Sequence, residues 1–274
     1  CMVDMTGSLA AQGIIGILAP ADYISYNILA ILCCAALLPI TLTTTSQPET
    51  PKSLRLRPKL AFTRSPLAVA GVIVAALSSA SFRMVGPIYG QEMGLTAAEI
   101  AWFLAAFVIG GAFAQLPVGW IADKFDRRKV LIWLSVAAII SCGITLSLAS
   151  TGVFGILLSS AFFGLTTFPI YSVAAAHAHD FASSDERVEL SAALMFWFAM
   201  GAIAAPYAAS VLIENYGPEA MFVMLAAGHA SLIIFGLSRM LAGRTALRRT
   251  AYVNAPRTSF VVGRLFRKER EKFK

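Results

Sequence analysis

Few side chains in this 274-residue sequence can do chemistry, and they stand far apart. Arg83 lies in an otherwise apolar stretch, just before Pro87. If that stretch crosses a bilayer, the guanidinium costs roughly 3 kcal/mol or more unless it is paired or faces water. It is a candidate for holding an anionic group of a small solute; the competing reading is a side chain that snorkels to headgroups. Asp4 is a carboxylate in the first apolar stretch, able to take up a proton or meet a substrate cation. Gln12, Gln115 and Tyr171 put polar groups into apolar runs, where they line a cavity or bond helix to helix. His177 and His179 flank Ala178 beside Asp180, a spacing that keeps them off a common helical face and argues against a metal pair. They read as interfacial histidines, and His229 reads as a packing residue. Cys1, Cys33, Cys34 and Cys142 show no metal-ligand spacing and read as inert thiols in apolar surroundings. No nucleotide-binding loop, zinc-protease helix or nucleophile elbow is present, so no cofactor or metal is expected.

The elements that must position these groups follow from composition. Hydrophobic residues make up 58% and charged residues 14%, too little charge to cover a soluble fold of this size. The apolar residues come in runs of roughly 18 to 25, about what spans a hydrocarbon core of ~30 Å. The runs cover Cys1–Ala19, Tyr23–Thr43, Pro66–Tyr89, Ala97–Gly119, Val130–Leu148, Val153–Ala176, Leu190–Ile213 and Ala220–Leu241. Lipid leaves backbone groups no water to bond, so these are helices, and the expectation is an all-α integral membrane bundle of about eight spans. The net charge of +7 does not form a nucleic-acid patch. It collects in the linker from Lys52 to Arg64, in the loop from Lys124 to Lys129, and in the tail from Arg239 onward. The loops between these basic ones lack Lys and Arg, or nearly so, and the alternation puts the basic loops in the cytoplasm. The net acidic loop Asp180–Glu189 fits by parity alone. Linker and tail on one side require an even number of spans between them, and the last six runs supply it. No basic region or small-residue cleavage site precedes the first run, so it is not a signal peptide, and the chain reads as starting inside a helix.

Between the fourth and fifth runs stands Gly119-Trp120-Ile121-Ala122-Asp123-Lys124-Phe125-Asp126-Arg127-Arg128-Lys129. This resembles the loop signature of the major facilitator superfamily, found between the second and third helices of each half. Asp126 occupies the place where the family usually has glycine, which puts a positive-φ turn there in doubt. Gly119 would let a neighbouring helix approach closely. Asp123, at a helix C-terminus, should seek a cation. Lys124, Arg127 and Arg128 complete a cytoplasmic latch that would break as the halves rock. The stretch from Pro66 to Arg239 is also similar to the bacterial YcaD-like permeases, through Gly86-Pro87-Ile88-Tyr89, Gln115-Leu116-Pro117-Val118-Gly119 and Phe168-Pro169-Ile170-Tyr171.

The resemblance implies a truncated twelve-helix transporter. Residues 1–43 would be helices five and six of the N-terminal half, 44–65 the cytoplasmic linker, 66–241 the six-helix C-terminal half, and 242–274 a cytoplasmic tail. The implied activity is secondary transport of a small solute across the bacterial inner membrane by alternating access, with proton coupling as the family default. The implied partners are a small-molecule substrate, the lipid bilayer and the N-terminal helices of the same transporter; nucleic acid is not among them. A membrane enzyme would need clustered His, Cys or carboxylates at one depth, and none stands out. A non-transporting receptor or scaffold on the same fold, or an inactive fragment, is the alternative.

Overall fold

A backbone surrounded by lipid must bond to itself, and helices achieve this within each segment. The computed structural model describes Gly7 and residues 23–42 and 56–241, and among these residues there is no strand. Asp4, Gln12, the rest of the first apolar run and residues 242–274 lie outside the described residues. The helices are α1 (Tyr23–Ala35), α2 (Leu38–Thr41), α3 (Pro58–Arg64), α4 (Pro66–Glu92), α5 (Ala97–Lys124), α6 (Arg127–Leu148), α7 (Val153–His179), α8 (Arg187–Tyr216) and α9 (Ala220–Leu241). Among the described residues, the six helices α4 to α9 are long and apolar enough to cross a membrane, which makes this a multi-pass membrane protein.

The run expected to be one helix from Tyr23 to Thr43 breaks after Ala35 and resumes at Leu38. Pro39 explains the break, since proline has no N–H to donate to a carbonyl of the preceding helix and fits the first turn of a new one. Elsewhere the helices outrun their apolar cores, because polar residues at the ends still complete backbone bonds. Ser65 caps α4 by accepting from the Ala68 N–H at 3.1 Å, with Pro66 at the first helical position. Thr96 and Glu99 form a reciprocal capping box at the start of α5. The turns opposite the charged end close tightly, with Gly152 and Gly217 at φ 91° and 87°.

The six spans pack in a pattern that exchanges the triplet α4–α6 with the triplet α7–α9. The most extensive contacts are α5 with α7 and α4 with α8, which the exchange interconverts. It likewise relates α6–α7 to α9–α4, and maps α4–α7 and α6–α9 onto themselves. Three-plus-three repeats of this kind build many transporter halves. The helices α4 and α7 are the most enclosed spans and α8 is the least. Small aliphatic residues fill the core near the charged end, around Leu67, Leu131, Ile170 and Leu194. Aromatic rings fill the other half, where Phe82 stacks on Phe107 with centroids 4.3 Å apart and Tyr89 meets Phe222 edge-on at 5.0 Å. Exposed aromatics mark both ends, Trp120 and Trp133 at the charged one and Trp102 and Tyr216 at the other, as expected at membrane interfaces.

Without a hydrophobic drive between helices in lipid, close association relies on small residues that let backbones meet. At the α5–α7 crossing a Cβ on Gly110 would stand 1.9 Å from the Ala161 carbonyl oxygen, and one on Gly164 would stand 1.9 Å from that of Phe107. Gly110→Ala should therefore cost about 1–3 kcal/mol of overpacking, read as a lower unfolding midpoint in detergent. Gly143→Ala, with nothing within 4 Å of the added carbon, should leave the midpoint unchanged. Equal midpoints for the two variants would contradict the tight crossing.

Candidate functional site

The end of α5, the start of α6 and the end of α7 converge at the charged end. Arg127 is 2% exposed there. Its Nη1 donates to Asp180 Oδ1 at 2.5 Å and to the Ala176 carbonyl at 3.0 Å, and its Nη2 donates to Asp123 Oδ1 at 3.4 Å. The Asp180 side chain is itself only 5% exposed. Arg128 serves its own turn, with Nη2 bonding Asp126 Oδ2 at 2.7 Å. Lys124 Nζ sits 3.6 Å from the Trp120 ring centroid, a cation–π contact. Gly119 is buried in α5. Of the expected latch residues, then, Arg127 and Asp123 come together, while Arg128 and Lys124 turn to local partners. Every one of these partners belongs to the same six-helix half.

Asp126 accounts for the departure from the usual glycine. Its φ of −61° needs no glycine, and its carboxylate caps α6 by accepting from the Arg128 N–H at 3.0 Å. Burial pushes this carboxyl up, but the Arg128 guanidinium and N–H, with His177 nearby, outweigh it and hold the group below its ordinary value. The acidic loop Asp180–Glu189 is likewise occupied by cations. Arg64 pairs with Glu186, and Arg57 with Glu189 at 3.4 Å. The Arg64 guanidinium, with help from Ser183, holds the Glu186 carboxyl low against a smaller effect of burial. Trp197 adds a hydrogen bond from Nε1 to the Pro58 carbonyl at 3.0 Å, and its ring meets Phe62 edge-on. These contacts pin α3, the end of the linker, across the start of α8.

The remaining candidates are dispersed. Arg83 is exposed on α4, as are Met84 and Ile88 near it, with its guanidinium 5.9 Å from the centre of the Phe168 ring on α7. Gln115 and Tyr171 are buried between helices, and the Tyr171 hydroxyl lies 3.8 Å from the Met195 sulfur. Their placement fits helix-to-helix bonding. Of the histidines expected at the interface, His177 is buried and His179 half-buried. His177 packs edge-on against Phe181, and half-buried His179 reaches Ser191 on α8 at 3.2 Å. They face different neighbours, as their spacing requires. His229 is fully buried and meets Ser78 through Nε2 at 3.0 Å.

Arg127→Gln should cost roughly 3–5 kcal/mol, because it strands Asp180 in a buried setting. Asp180→Asn in that background should recover part of the loss; simple addition of the two single costs in detergent melts would disprove the coupling. A group with a lowered folded-state pKa stabilises fully above its unfolded value, about 3.9 for aspartate, and stops stabilising as pH falls through the lowered value. Asp126→Asn should therefore reduce stability at pH 7, and the deficit should shrink in strong acid. A deficit that grows on acidification would contradict the assignment.

Comparison with known proteins bears on what this half belongs to. The chain is 25% identical to the MFS-type transporter YE1530 of Yersinia enterocolitica over 82% of its own length and 58% of that protein's. It is 28% identical to the MFS-type transporter YcaD of Salmonella heidelberg over 70% of its length and 50% of that protein's. The chain thus spans about half the length of the curated relatives it matches. Its fold is similar to that of the POT family transporter PepTSo, with a TM-score of 0.50, 20% identity, and coverage of 76% of this chain and 40% of that one. Residues 67–270 match the family model of the Major Facilitator Superfamily. The chain belongs to the Major Facilitator Superfamily.

Proposed function

We propose that this chain forms part of a secondary transporter of the bacterial inner membrane, which moves a small solute by alternating access. The observation that carries the reading is Arg83, a cation set into a membrane-spanning helix and displayed on its exposed side beside an aromatic ring. Such a charge is costly at that depth and persists where it faces water or an anionic partner. Arg83 is the group we assign to an anionic substrate moiety, with the Phe168 ring below it limiting its freedom to snorkel. Gradient coupling, by protons as is common in the family, is the energy source we favour, and Asp4 is the carboxylate assigned to it.

In this reading residues 66–241 move as one body against a second helical half that the N-terminal helices supply, with the linker and the tail in the cytoplasm. The triplet-exchanged packing and the buried Arg127–Asp180 pair support rigid-body motion, since neither needs to break for the half to rock. Asp123 keeps 45% of its side chain exposed beyond its contact with Arg127. That outer face of the carboxylate is the part we assign to a latch against the other half.

Substituting Arg83 by Gln in the whole transporter should lower uptake of its anionic substrate roughly 10- to 100-fold. That is what losing one hydrogen bond to a charged group is worth. Unchanged uptake across a solute panel, at normal protein levels in the membrane, would sink the substrate-site assignment.

A further inference from the structure

A groove of about 440 Å³ opens between α4 and α9, closed at the charged end by α3. Its walls include Phe62 of α3, Ala70 and Ile73 of α4, and Ser231, Leu232 and Phe235 of α9. Ser231 is the polar side chain among these, and its hydroxyl donates to the Ala227 carbonyl of its own helix at 2.9 Å. The wall therefore has no hydroxyl proton to spare, and with every other lining side chain apolar it suits hydrocarbon rather than a polar solute. Along α4 the groove runs from Pro66 to Val74, about 12 Å at 1.5 Å per residue. That is less than half of a ~30 Å hydrocarbon core, so the groove sits within one leaflet, on the charged side.

The charges around its mouth select among hydrocarbon ligands. Arg57 and Arg64 are already matched to Glu189 and Glu186. Lys59 lies one turn before Phe62 on α3, and Arg239 lies one turn beyond Phe235 on α9, so each shares a face with a groove residue. Among the described residues, neither makes an ion pair. An apolar slot one leaflet deep, with two uncompensated bases at headgroup level, matches a ligand with an acyl chain and an anionic head. We propose that the groove seats an acyl chain of an anionic phospholipid whose phosphate is held by Lys59 and Arg239. Bound there, the lipid fastens α3, and with it the linker, to the side of the six-helix half. The inference is independent of which solute is carried.

The test is native mass spectrometry of the full chain titrated with phosphatidylglycerol or phosphatidylcholine. The paired substitution Lys59→Gln and Arg239→Gln should weaken retention of phosphatidylglycerol roughly thirtyfold, at about tenfold per 1.4 kcal/mol and near 1 kcal/mol per base. Retention of phosphatidylcholine should not change. Ala70→Trp, which fills the slot, should release both lipids. Undiminished phosphatidylglycerol retention in either variant would overturn the proposal. Photolabelling the unsubstituted protein with phosphatidylglycerol carrying a diazirine in mid-chain guards against a variant that fails to fold. Adducts between Val69 and Val74 or between Ser231 and Phe235 are expected. Adducts confined to residues 242–274, or to other helices, would show that the lipid sits elsewhere or that the chain fills its own groove, and would refute it.

Discussion

The guanidinium of Arg127 is where three helices of this half are joined. It stands at the first residue of α6 and reaches back to Asp123 on the last turn of α5. It also reaches across to the Ala176 carbonyl in the last turn of α7 and to Asp180, the residue that follows that helix. A charge so nearly enclosed is tolerable only when its desolvation is met by well-placed acceptors. Two carboxylates and a carbonyl meet it here. The carbonyl belongs to Ala176, in the last turn of α7, where it also accepts from the Asp180 N–H at 3.2 Å and the macrodipole favours a cation. The same guanidinium thus sits at the favourable end of a helix dipole and neutralises a buried acid.

The pair α5 and α7 is consequently held at two depths by different physics. Within the membrane the helices touch backbone to backbone at Gly110 and Gly164, where contact area and dispersion carry the association. At the charged end they are tied through Arg127. Between these levels, Gly111 lies against the Phe168 ring, and that ring is the one beneath Arg83. The tight crossing therefore also fixes the platform on which the candidate substrate-binding cation rests. A shift of α7 along α5 would move Phe168 and disturb Arg83 before any loop had changed.

Much of the fold was legible in the sequence because lipid simplifies the problem. The six apolar runs after the linker each became a helix, since no other local structure satisfies their backbone. The family signature drew attention to Arg127 and Asp123, whose side chains lie 3.4 Å apart. The principal partner of Arg127 was not legible: Asp180 lies 53 residues away and reads, in sequence, as one more acid in a polar loop. Only the α6–α7 packing brings it under the guanidinium. Gln115 and Tyr171 stood out as polar residues in apolar runs, but hydropathy carries no information about which helical face turns inward, and both turned into the packing. The break before Pro39 was available from the proline itself and was overridden by the length of the apolar run around it.

The acidic loop after α7 shows why net charge is a poor guide to membrane sidedness. Orientation responds to Lys and Arg near the ends of spans, and Asp and Glu contribute little. By charge sign alone Asp180, Glu186 and Glu189 oppose a position beside the basic loops, yet each is matched to an arginine from the linker or from the signature loop. Their pairing requires all three loops to lie at one end of the bundle. With Arg57, Arg64, Arg127 and Arg128 neutralised within the protein, Lys59 and Arg239 are among the described bases without an ion pair, which is what leaves them to the proposed lipid headgroup. The acids thus hold the loops together and set which bases the proposed lipid can use.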